Sequence, residues 1–270
     1  MSDILAQIVE KTTSDLIKRK REVTFRELES MELYDGIRRD FRAALDLNDC
    51  VSVVAEVKKA SPSKGVIRSD FDPLKIAEQY ISNGAHALSV LTDKPFFQGS
   101  LSYLEKISRI SSIPILRKDF IVDPFQIKEA KAFGADAVLL IATMYSGTQL
   151  AELVSATNEF GLQALIECYH EEELKSLDWD QVEIVGVNNR NLSTFEVDLH
   201  RGVSLLNSSP NHVIRVSESG LQQPEDILYL WENGIHAALI GEYFMKQENV
   251  GLALKNLING FKKLKTSRLK

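Results

Sequence analysis

Eight short apolar runs alternate with helix-like stretches along the chain, and this alternation restricts the fold more than any other sequence feature. The runs cover residues 51–58, 87–91, 115–117, 137–141, 164–166, 184–187, 214–217 and 237–240. The first is almost continuously β-branched, which is typical of a strand buried on both faces of a parallel sheet. Because eight parallel strands can close a barrel, the pattern predicts an α/β protein with a single (β/α)8 TIM barrel.

The stretches between these runs carry helix start and stop signals. Asp72-Pro73 and Asp123-Pro124 each offer an N-cap followed by proline, so helices are predicted over 73–83 and 124–133. Further helices are expected over 146–159 and around 255–264. Three helix-to-strand junctions, at 83–87, 133–137 and 233–237, read NGAHA, FGADA and NGIHA. They indicate weak internal repeats of one βα unit.

The segment before the first strand is predicted to be helical. Apolar residues between 4 and 17 follow a helical period, and the basic run 18–21 would lie at the end of that helix. A second helical stretch is predicted over 25–45. We expect one domain over 1–270, with a helical extension over 1–48 and the barrel over 49–270. An open doubly wound sheet is the alternative, although ASPS stands at 60–63 where its glycine-rich fingerprint would fall.

The stretch VSVVAEVKKASPSKG, residues 51–65, places charge at the end of a buried strand. Glu56 and Lys58 are two positions apart, so they share one face of the strand and are predicted to form an ion pair. Ionised groups are unfavourable in a core unless they are paired or used. The alternative is that Lys58 simply leaves the core for solvent.

Polar residues also follow other predicted strands, where the active sites of such barrels lie. We expect a group of them to meet at one mouth of the barrel: Lys58, Lys118, Glu167, Asn188, Arg190 and Glu218. Gly220 and Gly241 follow the seventh and eighth strands, where backbone N–H groups commonly bind phosphate. Each glycine taken alone is equally consistent with an ordinary turn.

This combination predicts acid–base chemistry on a sugar phosphate. Lys118 and Lys58 are the candidate acids and Glu167 is the candidate base, each useful if burial and neighbours move its pKa toward neutrality. A Schiff-base lysine is a competing use of either lysine.

Composition argues against several other classes of protein. A net charge of −6 and a pI near 5.5 do not favour a nucleic-acid-binding surface, and no apolar run reaches membrane-spanning length. Cys50 and Cys168 lie far apart without a second ligand motif, so neither a metal site nor a disulfide is expected. The histidines are expected to be structural or exposed. A cytoplasmic location follows by default.

The chain resembles the indole-3-glycerol phosphate synthase family in a set of ordered motifs that covers nearly its whole length. They are AEVKKASPSKG (55–65), SVLTDKPFFQGS (89–100), ILRKDFIVDPFQI (115–127), ALIE (164–167), GVNNRNLSTFEVDL (186–199), SESG (217–220) and LIGE (239–242). The wording departs from the family at Cys168-Tyr169-His170 and at Asn191, which affects no proposed catalytic group.

The resemblance implies ring closure of 1-(2-carboxyphenylamino)-1-deoxyribulose 5-phosphate to indole-3-glycerol phosphate, carbon dioxide and water. Lys118 matches the general acid and Glu167 the general base. Lys58 matches the residue that binds the anthranilate carboxylate and assists dehydration. Glu56 and Glu218 match carboxylates that hold the lysines and stabilise positive charge on the ring nitrogen.

The resemblance also assigns substrate contacts. Asn188 and Arg190 match residues that orient the substrate, the former within the catalytic set, and Phe97 and Phe120 match the apolar wall around its ring. The matching phosphate contacts are Gly220, Gly241 and Glu242, with Ser61 and Ser219 as further substrate contacts. Glu242 is expected to offer its backbone N–H while its side chain points away. No cofactor and no metal are implied.

Two other functions stay open from sequence alone. One is a phosphoribosylanthranilate isomerase-like barrel, against which the 55–63 and Lys118 motifs speak. The other is a barrel without catalysis that binds a phosphate ligand or assembles with other enzymes. The expected partner is a small anionic sugar phosphate, with no nucleic acid and no membrane, and the chain would act as a monomer or associate with other tryptophan-pathway enzymes.

Overall fold

The computed structural model of the protein describes residues 3–191 and 194–270, and eight parallel strands form a closed barrel in it. The strands are β1 Ser52–Val57, β4 Ala87–Leu91, β5 Ile115–Lys118, β6 Ala137–Ile141, β7 Gln163–Cys168, β8 Ile184–Asn188, β9 Ile214–Glu218 and β10 Ala237–Ile240. Their order is β1-β10-β9-β8-β7-β6-β5-β4, closed by pairing of β1 with β4. The predicted TIM barrel is confirmed, and the open sheet is excluded. A two-residue hairpin, β2 Ala60–Ser61 and β3 Gly65–Val66, follows β1.

Several strands are longer at their carboxyl ends than the sequence predicted. Lys118, Asn188 and Glu218 are the last residues of β5, β8 and β9, and Glu167 lies within β7. These side chains are therefore held by the sheet ladder, on a more rigid support than a loop would give.

Helices surround the barrel and precede it. They are α1 Asp3–Glu22, α2 Phe25–Glu29, α3 Phe41–Leu45, α4 Pro73–Ser82, α5 Leu101–Ile110, α6 Pro124–Ala132, α7 Gln149–Glu159, α8 Glu171–Lys175, α9 Leu199–Leu206, α10 Pro224–Glu232, α11 Glu242–Met245 and α12 Val250–Arg268. Asp72 and Asp123, the predicted N-caps, accept backbone N–H groups at the starts of α4 and α6, and Ser100 does the same at the start of α5.

The continuous helix predicted over 25–45 is wrong. Thr24 and Glu27 form a capping box that starts α2, whereas Asp40 caps α3 by accepting the backbone N–H of Ala43 at 2.9 Å. Two separate start signals thus divide the segment into short helices. The helix predicted over 146–159 begins later, at Gln149, after a 3-10 turn over Ala142–Met144.

Two apolar layers stabilise the barrel. One lies between the strands and the outer helices, and the other fills the interior, where Val54, Leu116 and Leu239 pack. Phe41 and Leu45 of α3 are fully buried in the interior layer, and the Phe41 N–H donates to Gln163 at the start of β7. Helix α3 therefore covers the amino-terminal end of the barrel, which leaves the carboxyl end for the site.

The three repeated junctions adopt one arrangement. Gly84, Gly134 and Gly234 all have positive φ, at 96°, 82° and 69°. Two residues later a side chain accepts the backbone N–H of a residue in the preceding strand: His86 from Val53 at 3.0 Å, Asp136 from Ile115 at 2.8 Å, and His236 from Arg215 at 3.0 Å. The weak sequence repeat therefore corresponds to one type of hydrogen-bonded helix-to-strand junction, which occurs three times in the barrel.

Candidate active site

Every site residue predicted from sequence lines one pocket at the carboxyl ends of the strands. These residues are Glu56, Lys58, Ser61, Phe97, Lys118, Phe120, Glu167, Asn188, Arg190, Glu218, Ser219, Gly220, Gly241 and Glu242. None of the five histidines lines the pocket, and neither do Cys168 and Tyr169 of the divergent motif. The residues on different strands meet because parallel strands bring their carboxyl ends to one edge of the barrel.

Glu56 and Lys58 form the ion pair that their spacing predicted. The Lys58 Nζ lies 2.5 Å from Oε2 of Glu56, whose side chain is 5% exposed. The Glu56 carboxylate packs against the Gly241 backbone, since a Cβ at Gly241 would lie 2.1 Å from Oε2. Gly241 thus makes room for this carboxylate.

Lys118 stands at the centre of a carboxylate cluster. Its Nζ lies 3.0 Å from Oε2 of Glu167 and 3.6 Å from Oε2 of Glu218, and its side chain is 16% exposed. Burial opposes the charge of Lys118, but the carboxylates of Glu167, Glu218 and Glu56 outweigh it and raise the pKa of the ammonium group. Burial alone would move the pKa of Lys118 toward neutrality, but these carboxylates move it in the opposite direction.

Glu167 and Glu218 have opposite protonation behaviour. Burial disfavours the ionised form of Glu167, but the charge of Lys118 outweighs burial and lowers its pKa, and the Asn188 amide donates to its Oε1 at 3.2 Å. Burial, followed by the Glu167 charge, raises the pKa of Glu218 to about 8. A Cβ at Gly186 would lie 2.3 Å from Oε1 of Glu218. The pKa values of the two neighbouring carboxyl groups therefore shift in opposite directions, which favours the ionised form of Glu167 and the protonated form of Glu218.

A buried network that the sequence analysis missed supports β5 on both sides of Lys118. Arg117 is fully buried, and its Nη2 lies 2.9 Å from both Asp119 Oδ2 and Glu129 Oε2. Arg19 of α1 also binds Glu129, at 2.8 Å. An arginine inside an apolar strand run was the available signal, because a buried guanidinium requires partners.

The apolar wall of the pocket includes the two predicted aromatic rings. The ring centroids of Phe97 and Phe120 lie 5.9 Å apart. The Phe97 loop is held by Asp93, whose Oδ1 accepts the backbone N–H groups of Phe96 and Phe97 at 2.8 and 3.0 Å.

The first turns of α1 also contribute to the wall, through Ile4, Leu5 and Ile8. Sequence reasoning assigned these residues to an amphipathic helix but did not place them at the pocket, because periodicity gives the apolar face and not its partner.

Two turns, one at Ser219–Gly220 and one at Gly241, also line the pocket. Ser219 and Gly220 have φ of 72° and 80°, and Gly241 precedes α11. Among the described residues, no acceptor receives the backbone N–H of Ser219, Gly220 or Gly241.

Glu242 directly follows Gly241 in the lining of the pocket. Its side chain pairs with Arg190, which lines the pocket, at 3.1 Å and with the exposed Lys246 at 2.5 Å, so two cations balance its charge.

Among the described residues, no group of three or more His, Cys, Asp or Glu side chains has an arrangement that could hold a metal ion. Nor does any described helix combine the length and the apolar character needed to cross a bilayer.

Sequence comparisons agree on one family. The family model for indole-3-glycerol phosphate synthase matches residues 5–257. A curated relative of that name from Salinibacter ruber is 48% identical over 94% of this chain and 94% of its own length. Relatives of the same name from Campylobacter jejuni subsp. doylei and Rhodopirellula baltica are 47% and 45% identical over 94% of this chain, covering 100% and 98% of their own lengths.

Solved structures support the fold alone. A mutant tryptophan synthase alpha-subunit from Pyrococcus furiosus superposes with a TM-score of 0.58 at 14% identity, over 79% of this chain and 98% of its own. The match of the family model and the identity to curated relatives decide the membership. The chain belongs to the indole-3-glycerol phosphate synthase family, whose enzymes are carboxy-lyases of tryptophan biosynthesis.

Proposed function

We propose that the chain closes the five-membered ring of indole-3-glycerol phosphate by general acid–base catalysis with Lys118 as acid and Glu167 as base. The substrate is 1-(2-carboxyphenylamino)-1-deoxyribulose 5-phosphate, and the other products are carbon dioxide and water. The observation that carries the proposal is the Lys118–Glu167 contact of 3.0 Å, in which the acid is protonated and the base is ionised. Each group is thus ready for its role before substrate arrives.

The first step is attack by the aryl carbon that bears the carboxylate on the ketone carbon of the sugar. Lys118 hydrogen-bonds to the ketone oxygen and gives it a proton, so the carbonyl becomes a hydroxyl group as the carbon–carbon bond forms. The ring nitrogen donates electron density and gains positive charge, which the nearby Glu56 carboxylate stabilises. Loss of carbon dioxide then returns the bonding electrons to the ring and restores its aromaticity.

Dehydration completes the indole. Glu167 removes a proton from the carbon next to the nitrogen, while a lysine protonates the departing hydroxyl so that it leaves as water. We assign this proton transfer to Lys58, which pairs with Glu56 and lines the same cavity as Lys118. Asn188 orients Glu167 by donating to its Oε1.

Substrate orientation follows from the polarity of the pocket. The Phe97 and Phe120 rings pack against the aromatic ring of the substrate, and Lys58 binds its carboxylate. The phosphate lies against the free N–H groups of Ser219, Gly220 and Gly241, with Arg190 as the nearby cation and Ser61 as a further contact. Holding both ends fixes the reacting carbons between Lys118 and Glu167.

The test is to mix the purified chain with this substrate, without metal or nucleotide, and to follow indole absorbance and fluorescence. Wild type should form product, and Lys118→Ala should not at comparable enzyme concentration. A folded wild type that binds the substrate saturably yet releases no indole chromophore would refute the synthase reaction and favour a binding role.

The remaining parts of the proposal concern organisation. We propose that residues 1–270 form one folding unit, because Leu5, Phe41 and Leu45 of the 1–48 extension pack in the interior of the 49–270 barrel. A cytoplasmic location fits two cysteines that are both unpaired. We propose that the chain acts as a monomer or in association with other tryptophan-pathway enzymes, with all proposed catalytic and substrate-binding residues in one pocket.

A further inference from the structure

Asn189 lies behind the pocket and holds three consecutive residues of the β9 end. It is 1% exposed and directly follows β8. Its side-chain amide donates to Ser217 Oγ and to the Ser219 carbonyl, both at 2.9 Å, and its backbone N–H donates to the Glu218 carbonyl at 2.8 Å. Asn189 thus contacts the backbone of Glu218 and a group on either side of it.

The segment that Asn189 holds has an unfavourable backbone conformation. Ser219 has φ of 72°, a region that residues with a Cβ rarely adopt, and Gly220 follows with φ of 80°. Such a conformation persists only where the surroundings enforce it. The Asn189 amide restrains the carbonyl of Ser219 and so supplies that enforcement at the point of strain.

The position of Asn189 is matched by a glycine in a neighbouring helix. A Cβ at Gly202 of α9 would lie 1.8 Å from Asn189 Oδ1, so only glycine leaves room for this oxygen. Oδ1 itself has no hydrogen-bond partner among the described residues. Burying an acceptor without a hydrogen-bond partner is energetically unfavourable. The Asn189 side chain is therefore retained in this orientation for the two hydrogen bonds that its NH2 group donates.

We propose that Asn189 is a positioning residue that fixes the Ser219–Gly220 turn for the substrate phosphate. Asn189 is not among the residues that line the pocket, so it acts through the β9 end and not by touching substrate. This inference rests on the proposed function for the identity of the substrate. It predicts a defect at the phosphate end that is separable from the chemistry at Lys118.

The experiment compares wild type with Asn189→Ala on the carboxyphenylamino-deoxyribulose phosphate and on the same compound without its phosphate ester. We expect KM for the phosphorylated substrate to rise at least tenfold. The two enzymes should differ less than threefold in kcat/KM on the dephosphorylated compound. An equal loss on both compounds, or an unchanged KM in a folded variant, would overturn the role at the phosphate turn.

Inorganic phosphate provides a readout that does not depend on catalysis. Its binding to each protein can be measured by calorimetry, and we expect at least tenfold weaker binding by Asn189→Ala. A wild type without synthase activity would refute the proposed function, whereas equal phosphate binding by both proteins would refute the role of Asn189.

Two further variants guard against a folding artefact. Gly202→Ala keeps Asn189 but displaces its side-chain Oδ1. It should therefore also raise KM for the phosphorylated substrate, and an unchanged KM would count against the proposal. Thr157→Val removes another buried polar contact, the 2.7 Å bond from Thr157 to the Leu153 carbonyl in α7, far from the pocket. It should leave KM and phosphate binding unchanged, and a matching defect there would show that the effect is general destabilisation.

Discussion

The Nζ of Lys118 lies 3.0 Å from Oε2 of Glu167, although the two residues stand 49 positions apart in the chain. The proposed acid and base therefore form an ion pair, which favours the protonated form of Lys118 and the ionised form of Glu167. In the proposed reaction the ketone oxygen replaces part of this contact, so that Lys118 loses electrostatic stabilisation and becomes a stronger acid.

Lys118→Ala should lower kcat about a hundred- to ten-thousand-fold, because a placed general acid typically contributes that much. The corresponding rise in barrier is about 3 to 5 kcal/mol. Steady-state assays of indole formation measure it. Lys175→Ala is the matched control, since Lys175 also pairs with a glutamate but is 68% exposed and lies outside the pocket. A loss of less than tenfold for Lys118→Ala would contradict its role.

Glu218→Gln should flatten the pH dependence of stability. Burial and the Glu167 charge raise the pKa of Glu218 to about 8 from the ordinary 4.5, so folding takes up a proton between these values. The stability linked to this proton is complete below about pH 4.5 and is lost as pH rises through about 8. The unfolding temperature of wild type should therefore fall further than that of the variant as pH rises from about 6 to 9. Parallel curves would contradict a protonated Glu218.

Gly186→Ala should lower kcat while leaving the fold intact. The new Cβ would lie 2.3 Å from Oε1 of Glu218 and would push this carboxyl from its place beside Lys118. A displacement of this kind can lower the rate by about a hundredfold. Kinetics should be paired with circular dichroism to confirm folding. A folded Gly186→Ala with wild-type kcat would show that the position of Glu218 does not matter.

Arg117→Met should destabilise the protein, because it leaves the buried Asp119 without its arginine and Glu129 with Arg19 alone. Arg117 neutralises Asp119 and Glu129 in the core, and removing one partner of such a network typically lowers the free energy of unfolding by about 3 to 5 kcal/mol. Urea unfolding measures the change. Arg109→Ala is the control, because Arg109 also pairs with two glutamates but at the surface, and it should cause no comparable loss. Equal effects would contradict the role of burial.

His86→Asn should remove the acid sensitivity of the helix-to-strand junction at residues 83–87, where the His86 side chain accepts the Val53 N–H. Burial, followed by the charge of Lys262, lowers the pKa of His86 below the ordinary 6.5, so its neutral ring accepts the Val53 N–H. The stability from this junction is complete above about pH 6.5 and is lost as pH falls through the lower folded-state pKa. Asparagine keeps an acceptor but does not titrate. Wild type should thus lose more unfolding temperature than His86→Asn on acidification, and identical acid curves would disprove the idea.

The strands and the site were accessible from sequence because both obey local rules. Strand burial appears as unbroken apolar runs, and the Glu56–Lys58 pair follows from the two-residue period of a strand. Placing charged residues at the carboxyl ends of strands was then enough to gather them, since barrel topology brings those ends together.

What could not be predicted depends on contacts between distant segments. The sequence shows that Arg117 is charged but not that Glu129 and Arg19 complete its network. The raised pKa of Lys118 reflects three carboxylates from three other strands, none of them adjacent in sequence. The break between α2 and α3 was missed because apolar spacing continued through it while two capping signals competed with that spacing.

The barrel is closed by its first and last strands, with Ser52 paired to Ala237. During synthesis, β1 therefore lacks this partner until β10 has left the ribosome, and Glu56 meets Gly241 only then. A nascent chain that stops before β10 leaves β1 and β9 as open edges, which can pair with other chains. Completion of the pocket and protection of both edges from aggregation thus depend on the same strand.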